Sequence, residues 1–201
     1  MKLYYTAGSC SFAVHIALQE INQSVESIAV DLRTKKTASG EDYRAINPKG
    51  YVPALQTDSG VLLTEVPAVL QYVADLQPTA GLAPANGTVE RAELQGWLGY
   101  INAELHKDFG PLFDPTASEE TKKYTVTKLM RRFALVSERL AKSPYLMGST
   151  FSLADAYLYV VLSWPAMVKM DLSAWPSLLA YQSRISQRPT VKAAQAAQQS
   201  A

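Results

Sequence analysis

The run KLYYTAGSCSFAVHIAL, residues 2–18, decides how the chain begins. Lys2-Leu3-Tyr4-Tyr5 is short and apolar and reads as a strand. Thr6 to Ser9 turns through Gly8, and Ser11 to Asn22 has helical spacing. Cys10, the single cysteine of the chain, stands at that turn. The first turn of a helix has N–H groups without partners and the positive end of the dipole, so a thiolate there is stabilised. The competing reading is a small buried hydrophobe, the commonest fate of a free cysteine. Ala13 occupies the place where a CxxC pair carries its second thiol. Any chemistry is therefore that of one thiol: a mixed disulfide with a small thiol, or a thiol-binding point.

Outward from this run, Val25 to Val30 alternates and reads as a second strand. Thr34 to Gly40 is polar, and a short helical piece follows near Glu41–Ile46. Asn47-Pro48-Lys49-Gly50 is turn chemistry. Ala54–Gln56 and Val61–Leu63, separated by Thr57 to Gly60, read as a hairpin. Glu65 to Leu76 is helical. The order βαβ, then αββα, implies one right-handed parallel crossover and one antiparallel hairpin. Pro78 to Asn86 reads as a linker, and beyond it no strand pattern survives.

Helix 88–113 carries apolar residues at 94, 97, 98, 101, 105 and 109, and helix 119–140 carries a second such stripe. Ser152-Leu153-Ala154-Asp155 has the form of a capping box, with Asp in place of Glu. The helix it starts is apolar almost all round, which predicts a central, buried position. Residues 176–187 and 191–198 are the last helical candidates. The expected organisation is an α/β domain over residues 1–77, a linker at 78–87 and an all-α domain over 88–201.

Composition narrows the function. Hydrophobic residues make up 48% and charged residues 18% of the 201, enough for a real core. The formal net charge is +1, with 19 basic and 18 acidic residues, which argues against nucleic acid or an anionic membrane as partner. No charged-then-apolar leader is visible, and Ala154 to Val168 is too short to span a bilayer. A lone cysteine makes no internal disulfide, so the expectation is a cytoplasmic protein of a reducing compartment.

Two other segments fall where this topology gathers loop ends at one edge of the sheet. Val52-Pro53 puts a proline at a strand start after a Gly turn, a place where a cis bond can occur. Thr64-Glu65-Val66-Pro67 is a helix start whose N–H groups suit a carboxylate. Each has a plainer reading, a trans proline at a strand edge and an acid complementing the helix dipole.

Together the segments KLYYTAGSCSFAVHIAL, NPKGYVPAL, LLTEVPAVLQYVAD, AELHK at 103–107 and STFSLADAYL resemble the bacterial beta-class, cysteine-type glutathione S-transferases, from residue 1 to about residue 190. The resemblance implies the glutathione transferase fold: a thioredoxin-like domain with the glutathione site, and an all-α domain with the electrophile site. It implies that Cys10 faces the glutathione sulfur and can form a mixed disulfide with it. Val52 pairs main chain to main chain with the cysteinyl part of glutathione, and Pro53 is cis. Glu65 and Val66 hold the γ-glutamyl end, and Lys35 matches the charge of the glycyl carboxylate. His106 and Lys107 come from the helical domain towards the sulfur, with Cys10 and His106 as the catalytic pair. Glu104 contacts glutathione across a homodimer. Glutathione is the co-substrate and no metal is called for.

Val66 stands where the family usually has Ser or Gly, and Gly99 where it often has Asn. A hydroxyl contact and a cross-subunit amide contact are thereby missing, which predicts weaker glutathione binding. Asn102, about one turn beyond Gly99, is the candidate substitute. Apart from the resemblance, His106 and Lys107 read as a solvated helix face, and His15 as structural or exposed. Trp164, Tyr157, Phe109, Phe113 and Met167 read first as core or dimer-interface residues. Of these, Phe109, Phe113 and Trp164 are the candidates to line an apolar electrophile pocket.

The leading function is conjugation of glutathione to apolar electrophiles in detoxification. Cys10 keeps open a glutathione-dependent thiol–disulfide oxidoreductase. A non-catalytic binder of apolar ligands, or a dehalogenase or isomerase serving one pathway, are the remaining readings.

Overall fold

The computed structural model describes residues 1–199. The chain divides into two compact units: Met1–Ala83 together with the chain from Arg188 onward, and Pro84–Gln187.

The first unit runs β1 (Lys2–Tyr5), α1 (Phe12–Glu20), β2 (Glu26–Asp31), β3 (Lys36–Thr37), α2 (Tyr43–Ile46), β4 (Ala54–Gln56), β5 (Leu62–Thr64) and α3 (Val66–Leu76). The sheet order is β3-β2-β1-β4-β5. β1 and β2 are parallel, with Leu3 opposite Ser27, and the other pairs are antiparallel. This is the crossover plus hairpin that the element order predicts. β3 was not foreseen. It has two residues in a polar stretch, pairs with Val30 and Asp31, and offers no alternation to read.

α1 buries every residue from Ala13 to Leu18. A helix with no solvent face needs cover on more than one side. α3 packs on it, and so does α9 (Pro189–Gln199). The last helix therefore belongs to the first unit, not to the helical unit in which a boundary at 88–201 had put it. Val191 and Ala194 supply its buried face. Arg188 fixes its start through a two-pronged contact to Glu20, Nε to Oε1 at 2.8 Å and Nη2 to Oε2 at 2.9 Å. Thr190 donates to the same carboxylate at 2.5 Å.

The second unit contains α4 (Val89–Tyr100), a π-helical turn (Ile101–His106), a 3-10 turn (Lys107–Phe109), α5 (Gly110–Phe113), α6 (Glu119–Lys142), α7 (Leu153–Met167) and α8 (Pro176–Ser186). The single helix expected over 88–113 thus changes pitch three times. The apolar stripe survives the changes, with Leu94, Leu98, Ile101, Leu105 and Phe109 all buried. α7 is the central helix that its composition predicts, buried almost throughout. The Asp155 carboxylate accepts from the Ser152 N–H at 2.9 Å, the Ser152 hydroxyl at 2.7 Å, the Leu146 N–H at 2.9 Å and the Tyr181 hydroxyl at 3.1 Å. Such full satisfaction is what a carboxylate with no exposed surface requires. Among the described residues no helix is long and apolar enough to cross a membrane.

Candidate functional site

In the first unit the predicted residues converge on the Val52-Pro53 segment that leads into β4. Cys10 lies in the turn between β1 and α1. The helix starts at Phe12 with Ser11 as its N-cap, so Cys10 falls one residue before the cap and not inside the first turn. The turn is closed by Ser9 N–H to the Thr6 carbonyl at 3.1 Å and Phe12 N–H to the Ser9 carbonyl at 3.0 Å. Ser11, with no exposed surface, knits it further: its Oγ lies 2.7 Å from Ser9 Oγ and donates to the Thr6 carbonyl at 3.2 Å. Cys10 is buried, and its thiol donates to the Val52 carbonyl at 3.3 Å.

The bond from Val52 to Pro53 is cis. The approach to it is fixed by the Tyr51 carbonyl, which accepts from the Tyr43 hydroxyl and from Asn47 Nδ2, each at 2.8 Å. Lys35 occupies a left-handed backbone position, φ +59°, and its Nζ donates to the Gly50 carbonyl at 2.9 Å, just before that segment.

Glu65 also has positive φ, +71°, an uncommon conformation for a residue with a side chain. It caps α3, its carbonyl accepting from Ala68 and Val69 N–H. Pro67 carries no N–H, so Val66 supplies the donor at the helix start. The Glu65 carboxylate is exposed and meets Lys49 Nζ at 2.7 Å. The Val66 side chain is buried, 3% exposed, and packs into the unit.

The second unit gathers a different set. His106 Nδ1 is 2.5 Å from the Tyr157 hydroxyl, which donates to Asn102 Oδ1 at 3.0 Å. The Asn102 amide oxygen is thus engaged within its own chain. The imidazole meets Trp164 edge to face at 4.9 Å between centroids. Phe109 stacks on Phe113 at 6.0 Å, and both meet Trp164 edge-on, at 5.4 and 5.9 Å. The three aromatic residues named from the sequence therefore form one cluster, which His106 meets through Trp164. Phe109 and Trp164 are its buried floor and Phe113, 45% exposed, its open rim. Met167 is exposed and outside this cluster's ring contacts.

Glu104 goes elsewhere. Arg132 of the same chain grips its carboxylate through Nε at 2.7 Å and through Nη2. Arg132 also lies 3.4 Å from Asp108, which pairs with Lys128 at 2.9 Å. Lys107 is exposed. Gly99 faces open space, and a Cβ there would meet nothing. His15 is buried rather than exposed, with Nε2 3.1 Å from Ser27 Oγ and Nδ1 3.1 Å from Gln198 Nε2. Among the described residues no group of three or more His, Cys, Asp or Glu could hold a metal ion.

Sequence reasoning did not find Ser11, Asn47 or Lys49 as organisers of the cysteine edge, Tyr157 as the partner of His106, or Asn102 as the acceptor for Tyr157. The Asn-Pro turn was a usable signal for Asn47. Tyr157 had none, because a tyrosine in an apolar helix reads as core.

A parallel βαβ crossover joined to a hairpin, with a thiol beside a cis-proline strand, makes the first unit a thioredoxin-like fold. Comparison with known proteins extends this. Residues 1–75 match the family described as glutathione S-transferase, N-terminal domain, and residues 95–189 the family described as glutathione S-transferase, C-terminal domain. The glutathione S-transferase GstA of Escherichia coli O157:H7 is 41% identical over 198 residues, covering 98% of each chain. Among solved structures, the bacterial glutathione S-transferase BphK in a ternary complex is 52% identical, with TM-score 0.97, over 98% of this chain and 99% of that one. A sphingomonad glutathione S-transferase complexed with glutathione is 46% identical, with TM-score 0.96, over 100% of both chains. A beta-class enzyme of Sphingomonas chungbukensis is 46% identical, with TM-score 0.96, over 98% of both. The chain belongs to the glutathione S-transferase family, in its bacterial beta class.

Proposed function

We propose that the protein conjugates the thiol of reduced glutathione to small apolar electrophiles, as a detoxifying homodimer of the cytoplasm. The observation that carries this is the thiol of Cys10 held at 3.3 Å from the Val52 carbonyl, beside the cis Val52–Pro53 bond. That junction offers main-chain groups for the cysteinyl part of glutathione with a thiol next to its sulfur. Lys35 takes the glycyl carboxylate. Glu65 and the Val66 N–H take the γ-glutamyl end. His106 receives the thiol proton, and Lys107 adds positive charge for the thiolate. Phe109, Phe113 and Trp164 receive the electrophile, since an aromatic wall with few polar groups suits varied apolar substrates. Glu104, oriented by Arg132, serves the glutathione bound to the other subunit. Glutathione is the co-substrate, and none of these steps calls for a metal. Rate enhancement comes from supplying the thiolate at neutral pH and holding it against the reacting carbon.

A second reading is favoured by Cys10 itself. In that reading the Cys10 thiolate attacks the glutathionyl sulfur of a mixed disulfide and expels the other thiolate. A further glutathione thiolate then releases oxidised glutathione and regenerates Cys10.

Cys10→Ala separates the two. Conjugation to an apolar aryl halide that largely survives the change, while disulfide reduction is abolished, supports conjugation as the main activity. Loss of both would assign the chemistry to Cys10. A wild-type protein that binds apolar ligands but turns over no electrophile would overturn the enzyme reading. Intact-mass spectrometry before and after a reductant tests whether one glutathionyl group resides on Cys10.

A further inference from the structure

The contacts of His106 fix which of its ring nitrogens carries a proton. A phenol has one proton to give, and an amide oxygen only accepts. The Tyr157 proton goes to Asn102 Oδ1, at 3.0 Å. The 2.5 Å contact between the same phenol oxygen and His106 Nδ1 then has only one proton available, that on Nδ1. The neutral ring consequently carries its lone pair on Nε2. Three features hold this arrangement. Tyr157 has no exposed surface and lies in the second turn of α7. Asn102 and His106 share the π-helical turn, a distortion that recurs at functional sites. Trp164 holds the imidazole edge to face.

We propose that Tyr157 and Asn102 are positioning residues that hold His106 as the Nδ1–H tautomer, so that Nε2 takes the proton of the glutathione thiol. The inference rests on the role given to His106 above. The S–H bond breaks, its proton forms the Nε2–H bond, and the products are a thiolate and an imidazolium. The thiolate pair then forms the carbon–sulfur bond, the leaving group departs with its bonding pair, and the imidazolium releases its proton to water. The Nδ1–H contact to Tyr157 becomes charge-assisted as the imidazolium forms, so it strengthens when it is needed.

The test is long-range proton–nitrogen NMR of 15N-histidine-labelled protein, with His15→Gln assigning the two histidines. Wild-type His106 should show a pyrrole-type Nδ1 and a pyridine-type Nε2. In Tyr157→Phe the preference for Nδ1–H should disappear, and kcat should fall about 10-fold with the glutathione KM little changed. Asn102→Leu should do the same, because the phenol proton then turns to Nδ1 and forces the proton onto Nε2. Asn102→Asp should rescue both spectrum and kcat, since a carboxylate also only accepts. A wild-type spectrum with the proton on Nε2 overturns the inference whatever the turnover. So do Tyr157→Phe and Asn102→Leu variants with wild-type tautomer and kcat. Should Tyr157→Phe fail to fold, Asn102→Leu at its half-buried position carries the same test. Absence of conjugation by the wild type would refute the proposed function, while the spectrum still decides the tautomer.

Discussion

Acidification from pH 7 to pH 5 should destabilise the first unit through His15. The ring is 3% exposed, between Ser27, Gln198 and the Tyr5 ring, which meets it edge to face at 4.8 Å. Burial pushes its pKa down from 6.5 to about 4, against a smaller opposing contact from the Ser11 backbone. The folded ring therefore stays neutral where the unfolded one takes up a proton. A state that binds more protons gains as pH falls, and here it is the unfolded one. Stability is complete above pH 6.5 and is lost as pH falls towards 4. With one pKa unit equal to about 1.4 kcal/mol, the loss is about 2 kcal/mol at pH 5 and about 3 kcal/mol at pH 4. Urea unfolding of wild type and His15→Gln at pH 7 and pH 5 measures it. Gln keeps a hydrogen-bonding side chain and cannot titrate. Carboxylates held low by local hydrogen bonds, such as Asp31, Asp114 and Asp171, lose the same in both proteins and cancel. The wild type should lose about 2 kcal/mol more than the variant. Equal losses would refute the reasoning.

Arg188→Gln should loosen α9, because it removes the charged two-pronged contact to Glu20. Urea unfolding should record a loss of about 1.5–3 kcal/mol, with faster proteolysis near residue 188. Phe113→Ala should cost under about 1 kcal/mol, since the ring is 45% exposed, yet raise the KM for an apolar electrophile about fivefold. An unchanged KM would remove Phe113 from the electrophile wall. Val66→Ser should cost about 1–2 kcal/mol of stability in urea unfolding, from the apolar burial lost at a side chain only 3% exposed.

The strand–turn–helix at Cys10, the hairpin and the central α7 were legible because each carries its own local signal: a period, a turn dipeptide, a capping box. Cys10, Val52 and Pro53 were legible as a set through the family resemblance and their fall at one sheet edge. Glu65 and Lys35 were named, but their left-handed backbone was not, because neither is a glycine or an asparagine.

The sequence by itself determined which residue carries the thiol and where the chain turns from α/β to helix. These follow from residue type and from spacing along one element. That Phe109, Phe113 and Trp164 meet was decided by the tertiary structure, because Trp164 comes from a different helix. Only the tertiary structure decided that α9 returns to cover α1, since the apolar residues of a helix reveal that it is covered and not by what. It alone decided that Arg132 claims Glu104, and that Tyr157 hands its proton to Asn102 and so sets the tautomer of His106. Those outcomes depend on angstrom-scale distances between side chains up to 55 residues apart, for which no local pattern exists.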